Sequence, residues 1–218
     1  MLRIAIDGPA GSGKSTIAKK LAKKYNLLYI DTGAFYRSAA WIMLKFGLNS
    51  DKLIEFLKKS KIDLLDDKVL VEIDRKRYDV TDAIRLSDVT MKTSEIASNP
   101  AIRSIISEQQ KQIAKTNSVI MDGRDIGTVI IPDAEIKIFL TASPEERAKR
   151  RYKELTEKDI KVEFDSILKE IIERDKNDTN RDIAPLKKAP DAIEIDTTDL
   201  TIDQVISKIE KIVKEKGY

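Results

Sequence analysis

Short apolar runs bounded by polar turns recur along this 218-residue chain at residues 2–6, 27–30, 119–121, 136–140 and 192–195. Each has the length of a buried strand, and none contains an internal proline. Helical periodicity fills most of the gaps. Ile17, Leu21 and the lysine pair that follows predict a helix after the first run. Ser143-Pro144-Glu145-Glu146 opens another, with Ser143 as cap, Pro144 at the first helical position and Glu146 placed to reach back. Asn99-Pro100 repeats this start signal, and Ile102, Ile105, Ile106 and Ile113 mark one buried face of the helix that follows. Thr201 with Gln204 begins the last helix, whose Val205, Ile209 and Ile212 share a face, and residues 214–218 are expected to fray.

Strands alternating with helices predict an α/β fold in which a five-stranded parallel sheet is covered on both faces, with ligands at the carboxyl ends of the strands. The stretch 61–78 breaks the pattern. Val69, Val71 and Ile73 alternate with Leu70, Glu72 and Asp74, and Asp66-Asp67 separates this run from 62–65. That predicts a small antiparallel β meander inserted into the fold.

Composition narrows the chemistry. A net charge of +3, from 40 Lys plus Arg against 37 Asp plus Glu, gives no ground for a nucleic-acid or membrane partner. With no Cys and no His, disulfides, thiolate chemistry, cysteine metal sites and the usual near-neutral proton shuttle are all excluded. No apolar run approaches the roughly 20 residues of a membrane span, and Met1 leads straight into a strand-like segment, so the expectation is a soluble, cytoplasmic protein.

Gly8-Pro9-Ala10-Gly11-Ser12-Gly13-Lys14-Ser15 matches G-x-x-x-x-G-K-[ST] between the first strand and the first helix, the context the motif requires. Glycines let the backbone curl so that successive amides face a phosphate, and the helix N-terminus adds its partial positive charge. Lys14 supplies a cation for the β- and γ-phosphates and Ser15 a hydroxyl for Mg²⁺, with Thr16 next in the same turn. No Gly has an Asp three positions before it and no Asn-Lys pair occurs, which excludes a GTPase switch.

Basic residues supply the rest of the constellation. Arg147, Arg150 and Arg151 stand at i, i+3 and i+4, an arrangement that predicts three guanidiniums along one helix side and equally fits a solvated basic stripe. Arg174 and Arg181 stand at the two ends of the acidic, turn-prone stretch 175–182, so the region reads as a lid that closes over phosphates. Asp31-Thr32-Gly33-Ala34-Phe35-Tyr36-Arg37 puts Arg37 one turn into a helix after the second strand. Asp122-Gly123-Arg124-Asp125 ends the third run, where Asp122 can hold a Mg²⁺-bound water, Arg124 an acceptor phosphate and Asp125 a donor group on a base. An acceptor that is itself a phosphate monoester needs no general base; a hydroxyl acceptor would need one, Asp125 or Asp31. A non-catalytic nucleotide sensor is the reading from another class.

Taken in order, IDGPAGSGKST, DTGAFYR, DGRDIGTVI and ERDKNDTNRDIAPL resemble the segments of bacterial cytidylate kinases, a P-loop nucleoside monophosphate kinase family, over about residues 2–213. The resemblance implies a P-loop three-layer sandwich with an acceptor-binding insert at about 33–115, its β meander at about 61–80, and a helical lid at about 147–182. It implies ATP as phosphoryl donor, Mg²⁺, CMP and dCMP as acceptors, and a monomer. In the positions of this chain, Gly8, Gly11, Ser12, Gly13, Lys14, Ser15 and Thr16 would hold the triphosphate. Lys14, Arg147, Arg151 and Arg181 would act on the transferred group, and Ser15 with Asp122 on the metal. Thr32, Arg37 and Arg124 would hold the acceptor phosphate, Ser94, Arg103 and Asp125 would read cytosine, Arg174 and Asp178 would face the ribose, and Arg181 would reach the phosphates.

Overall fold

In chain order the elements of the computed structural model are β1 (Arg3–Asp7), α1 (Lys14–Tyr25), β2 (Leu28–Asp31), α2 (Thr32–Phe46), α3 (Ser50–Lys59), β3 (Ser60–Leu65), β4 (Lys68–Ile73), β5 (Lys76–Asp79), α4 (Ser87–Ser98), α5 (Pro100–Thr116), β6 (Val119–Gly123), β7 (Ile136–Thr141), α6 (Pro144–Thr156), α7 (Phe164–Thr179), β8 (Ile193–Asp196) and α8 (Ile202–Glu215). The structure describes residues 1–65, 68–157 and 159–218, so the Asp66-Asp67 boundary lies outside the described residues. The chain divides into two units, Met1–Tyr29 with Asn117–Tyr218, and Ile30–Thr116.

All five apolar runs become strands, in the order β2-β6-β1-β7-β8. The pairings of β1 with β6, β1 with β7 and β7 with β8 are parallel. A central parallel strand is covered on both faces, so β1 is apolar without alternation, and Ile4, Ala5 and Ile6 are all fully buried. Ile17 and Leu21 of α1 and Val205, Ile209 and Val213 of α8 pack with Ile4, Ile6, Ile138 and Leu140 in one core. On α8 Ile212 packs half-buried against this core as expected, and Val213 is fully buried in it as well. The helix runs to Glu215 and the Tyr218 amide donates to Val213 O at 3.1 Å, so the tail expected to fray is held by helix-end hydrogen bonds.

Register is what positions the site. Asp7 of β1 stands opposite Gly123 of β6 and Phe139 of β7, so the segment after Asp122 and the phosphate loop leave the sheet side by side. Thr141 pairs with Asp196, and Thr197 N then donates to Thr141 O at 2.8 Å, bringing the connection after β8 to the same edge.

Capping follows the sequence on α8, where Thr201 and Gln204 complete a reciprocal box. On α6 only half of it forms. Ser143 Oγ accepts from Glu146 N at 3.2 Å, but the Glu146 carboxylate accepts from Arg150 and the Ser143 amide donates to Thr198 Oγ1.

The second unit holds the predicted meander as a three-stranded antiparallel sheet, β3-β4-β5, with Val69, Val71 and Ile73 buried on one face of β4. Its helix α5 is rotated from the expected stripe. Ile102 and Ile106 are buried, but Arg103, Ser107 and Gln110 are buried beside them while Ile105 and Ile113 are only half-buried. The polar members turn inward because they have partners there: Arg103 Nη1 donates to Ala97 O at 3.0 Å and Gln110 Nε2 to Thr32 O at 3.4 Å. Among the described residues, no helix is long and apolar enough to cross a membrane.

Candidate phosphate-binding and transfer site

The loop between β1 and α1 begins at Gly8, whose φ of +148° and whose closeness to β7 both require glycine. A Cβ there would lie 1.9 Å from Leu140 O. At the far end of the loop, Gly13 caps α1 without any side-chain acceptor, and the first turn of α1 contains no acidic residue. By contrast, α2, α3, α6 and α8 each have a side-chain cap, from Asp31, Asn49, Ser143 and Thr201. The amides opening α1 therefore have no side-chain acceptor from the cap position, as those opening α4 and α7 also do not, but only at α1 does a glycine loop precede them, with a buried lysine in the first turn.

Lys14 is buried, its ammonium donating to Pro9 O at 2.6 Å and Ser12 Oγ at 3.3 Å. Burial first, and then the nearby charges of Arg124 and Arg174, pull its pKa well below the ordinary lysine value, while Asp122 and Asp7 pull the other way. Cations held this close favour an anion of several charges among them. Beside the loop lies a cleft of about 570 Å³, floored by residues 11–17 and walled by Arg150, Arg151, Thr197, Thr201 and Val205.

Ser15 Oγ donates to Asp122 Oδ2 at 2.8 Å. This hydroxyl and carboxylate fit a magnesium ion: both are hard oxygen donors, and the serine oxygen keeps its lone pairs while its O–H donates to the buried Asp122. Among the described residues there is no cluster of three or more acidic side chains able to hold a metal alone, so the ion's other ligands would be phosphate oxygens and water.

Arg124 Nε donates to Asp178 Oδ2 at 2.7 Å, and Arg181 donates to the other oxygen of the same carboxylate. Arg124 sits among acidic neighbours. Burial lowers its pKa, and Asp122, Asp175, Asp7 and Asp125 oppose that shift. Asp125 is buried at the start of the turn 126–130.

The three arginines of α6 do not share one setting. Positions i, i+3 and i+4 are neighbours at the helix surface, but i+3 and i+4 lie about 100° apart around the axis, and long side chains spread that angle. Arg147, 3% exposed, turns inward: it donates to both Asp175 oxygens, to Ala142 O and to Ala10 O in the phosphate loop. Without nucleotide it braces the loop, α6 and α7 together. Arg150 is tied to the Thr197 backbone and hydroxyl, and Arg151, half-exposed at the cleft, pairs with Glu154.

In the second unit, Asp31 caps α2 by accepting from Ala34 N and also takes the Arg37 guanidinium at 2.6 Å. Gly33 leaves room for that fold-back, since a Cβ there would meet Arg37 Nη1 at 2.8 Å. Thr32 is buried. Arg103, also buried, lies 5.2 Å from the centre of the Tyr36 ring, whereas Ser94 is exposed on α4.

Sequence reading missed Asp7, Tyr29, Asp175 and Thr197. Asp7 had a signal, an acid closing an apolar strand directly before the glycine loop. Its carboxylate accepts from Ile126 N at 2.8 Å and Gly127 N at 2.7 Å, clamping the turn after Asp125 to the base of the phosphate loop. Tyr29, whose hydroxyl donates to Asp122 at 2.8 Å, had none, because its partner is 93 residues away.

Burial raises the Asp7 pKa to about 6, against the two amide hydrogen bonds. Between an unfolded value near 4 and this folded value the native state holds the extra proton, so the contribution of Asp7 to stability is full below pH 4 and is lost as pH rises through 6, by about 3 kcal/mol. The urea-unfolding free energy of wild type minus that of Asp7→Asn should fall accordingly from pH 4 to 7; a flat difference contradicts the buried anion. For Arg147→Ala, loss of a buried pair predicts about 3 kcal/mol lower stability without nucleotide. Unchanged stability contradicts the brace.

The cytidylate kinase family model matches residues 4–215. A cytidylate kinase of Fervidobacterium nodosum is 48% identical over 219 residues, covering 98% of this chain and 97% of that protein. Those of Thermosipho melanesiensis and Bacillus subtilis are 50% and 45% identical, covering 98% and 99% of this chain and 97% and 98% of theirs. Among solved structures, an uncharacterized protein from Eubacterium ventriosum aligns with TM-score 0.57 at 17% identity over 98% of this chain and 99% of its own, which shows the fold alone. With a family match along nearly the whole chain, over a phosphate loop in its required setting, the chain belongs to the cytidylate kinase family.

Proposed function

We propose that this enzyme transfers the γ-phosphoryl group of ATP to CMP and dCMP. Membership of the cytidylate kinase family is the observation that carries the reading, and the uncapped start of α1 beside Lys14 supports it. The cleft next to residues 11–17 would take the nucleoside of ATP, with its phosphates on the amides of Gly8 to Thr16. Bound magnesium, held through Ser15 and Asp122, would neutralise charge on the β- and γ-phosphate oxygens.

An oxygen of the acceptor phosphate attacks the γ-phosphorus, and the bond to the β-phosphate oxygen breaks, giving ADP and a nucleoside diphosphate. That oxygen is already ionised near neutral pH, so a chain without histidine lacks nothing the step requires. Lys14, Arg147, Arg151 and Arg181 would stabilise the transferring group. Thr32, Arg37 and Arg124 would hold the acceptor phosphate; Ser94, Arg103 and Asp125 would read cytosine; Arg174 and Asp178 would face the ribose. The acceptor insert would span about 33–115 and the lid about 147–182. The reading takes the protein to act in the cytoplasm as a monomer on free nucleotides, with neither nucleic acid nor a membrane as partner.

Acceptor-dependent ADP release measured with CMP, dCMP, UMP, AMP and shikimate tests it. CMP and dCMP should give the highest kcat/KM, and a higher value for another acceptor, or no turnover at all, would overturn the proposal. Lys14→Ala should lose at least about tenfold in kcat. Turnover above that level would remove Lys14 from the transferring group.

A further inference from the structure

Asp122 receives a hydroxyl on each oxygen: Ser15 Oγ on Oδ2 and Tyr29 OH on Oδ1, both at 2.8 Å. The first belongs to the proposed magnesium site; the second is outside every assigned function. We infer that Tyr29 is a positioning residue for the Ser15–Asp122 pair, fixing the carboxylate so that Ser15 keeps its proton turned toward Asp122 and its lone pairs toward the metal. This rests on the reading of Ser15 and Asp122 as the magnesium-facing groups.

The terminal torsion of an aspartate is soft and nearly two-fold, so a single hydrogen bond leaves the carboxylate free to rock or to exchange oxygens. A donor on the second oxygen removes that freedom. Asp122 is 5% exposed, so water is poorly placed to replace a lost donor. Tyr29 is well suited to the task. It ends the first unit's part of β2, packs its half-buried ring against the core of α1 and the central strands, and has the Lys19 ammonium 5.8 Å from the ring centre. Only two side-chain torsions separate its hydroxyl from the sheet, so the donor is delivered from a rigid base. Supporting groups of this kind orient metal-facing ligands without touching the ion.

The test uses the full chain and a non-hydrolysable ATP analogue, with binding followed by calorimetry as free magnesium is varied, and thermal unfolding followed without nucleotide. Tyr29→Phe keeps the ring and removes only the hydroxyl. Its magnesium midpoint should rise about tenfold or more, with affinity for the metal-free analogue close to wild type and the unfolding temperature lowered by a few degrees, as loss of one buried hydrogen bond requires. Ser15→Ala and Asp122→Asn are run beside it. If they raise the midpoint and Tyr29→Phe does not, the tyrosine has no part in orienting the pair. A loss of metal-free affinity equal to the loss with magnesium would make the hydroxyl merely structural, and also overturns the inference. If neither Ser15→Ala nor Asp122→Asn moves the midpoint, the metal-site reading itself fails and this inference with it.

Discussion

The chain leaves β1 through a glycine that no other residue could replace without a clash. At Gly8 the chain turns with φ at +148° while pressed against the carbonyl of Leu140, closer than any side chain could tolerate. That contact makes the rest possible. It lets the loop pass close to β7 and enter α1 through Gly13 without a side-chain cap, beside a β1 paired in register with β6 and β7. Register then carries the chemistry. With Asp7 opposite Gly123, Asp122 comes within 2.8 Å of Ser15, and the turn after Asp125 can be clamped by Asp7 itself.

Charge is arranged around this loop in alternation. Arg124 and Arg174 both repel Lys14, and Asp7, Asp122, Asp125, Asp175 and Asp178 are interleaved among them. Two arginines share Asp178, and another holds both oxygens of Asp175. Such pairs hold the guanidiniums in fixed orientations at the edge of the loop. Burying Asp7 as an anion near neutral pH is costly, and the two amides it holds at the base of the loop are what the fold receives in return.

Much of this was legible in the sequence. The five strands, the meander and the phosphate loop are local signals: apolar runs of strand length, alternation of period two, and glycines at set spacing. What escaped depends on contacts between distant segments. The i, i+3, i+4 spacing of Arg147, Arg150 and Arg151 could not say that Arg147 would turn toward Asp175 and Ala10 O, because that depends on where α7 and the loop lie. Nor could periodicity foresee that α5 would bury Arg103 and Gln110 in preference to Ile105 and Ile113, since the carbonyls of Ala97 and Thr32 decide it. Thr197 is an unremarkable threonine until register sets it beside Thr141, where its hydroxyl meets Arg150.

Everything rests on the amides from Gly8 to Thr16 forming a seat for a triphosphate. Calorimetric titration of the wild-type protein with ATP in magnesium-containing buffer is the most direct measurement of that claim. Saturable binding at one site per chain is the expected result; the absence of any binding at millimolar ATP would contradict it.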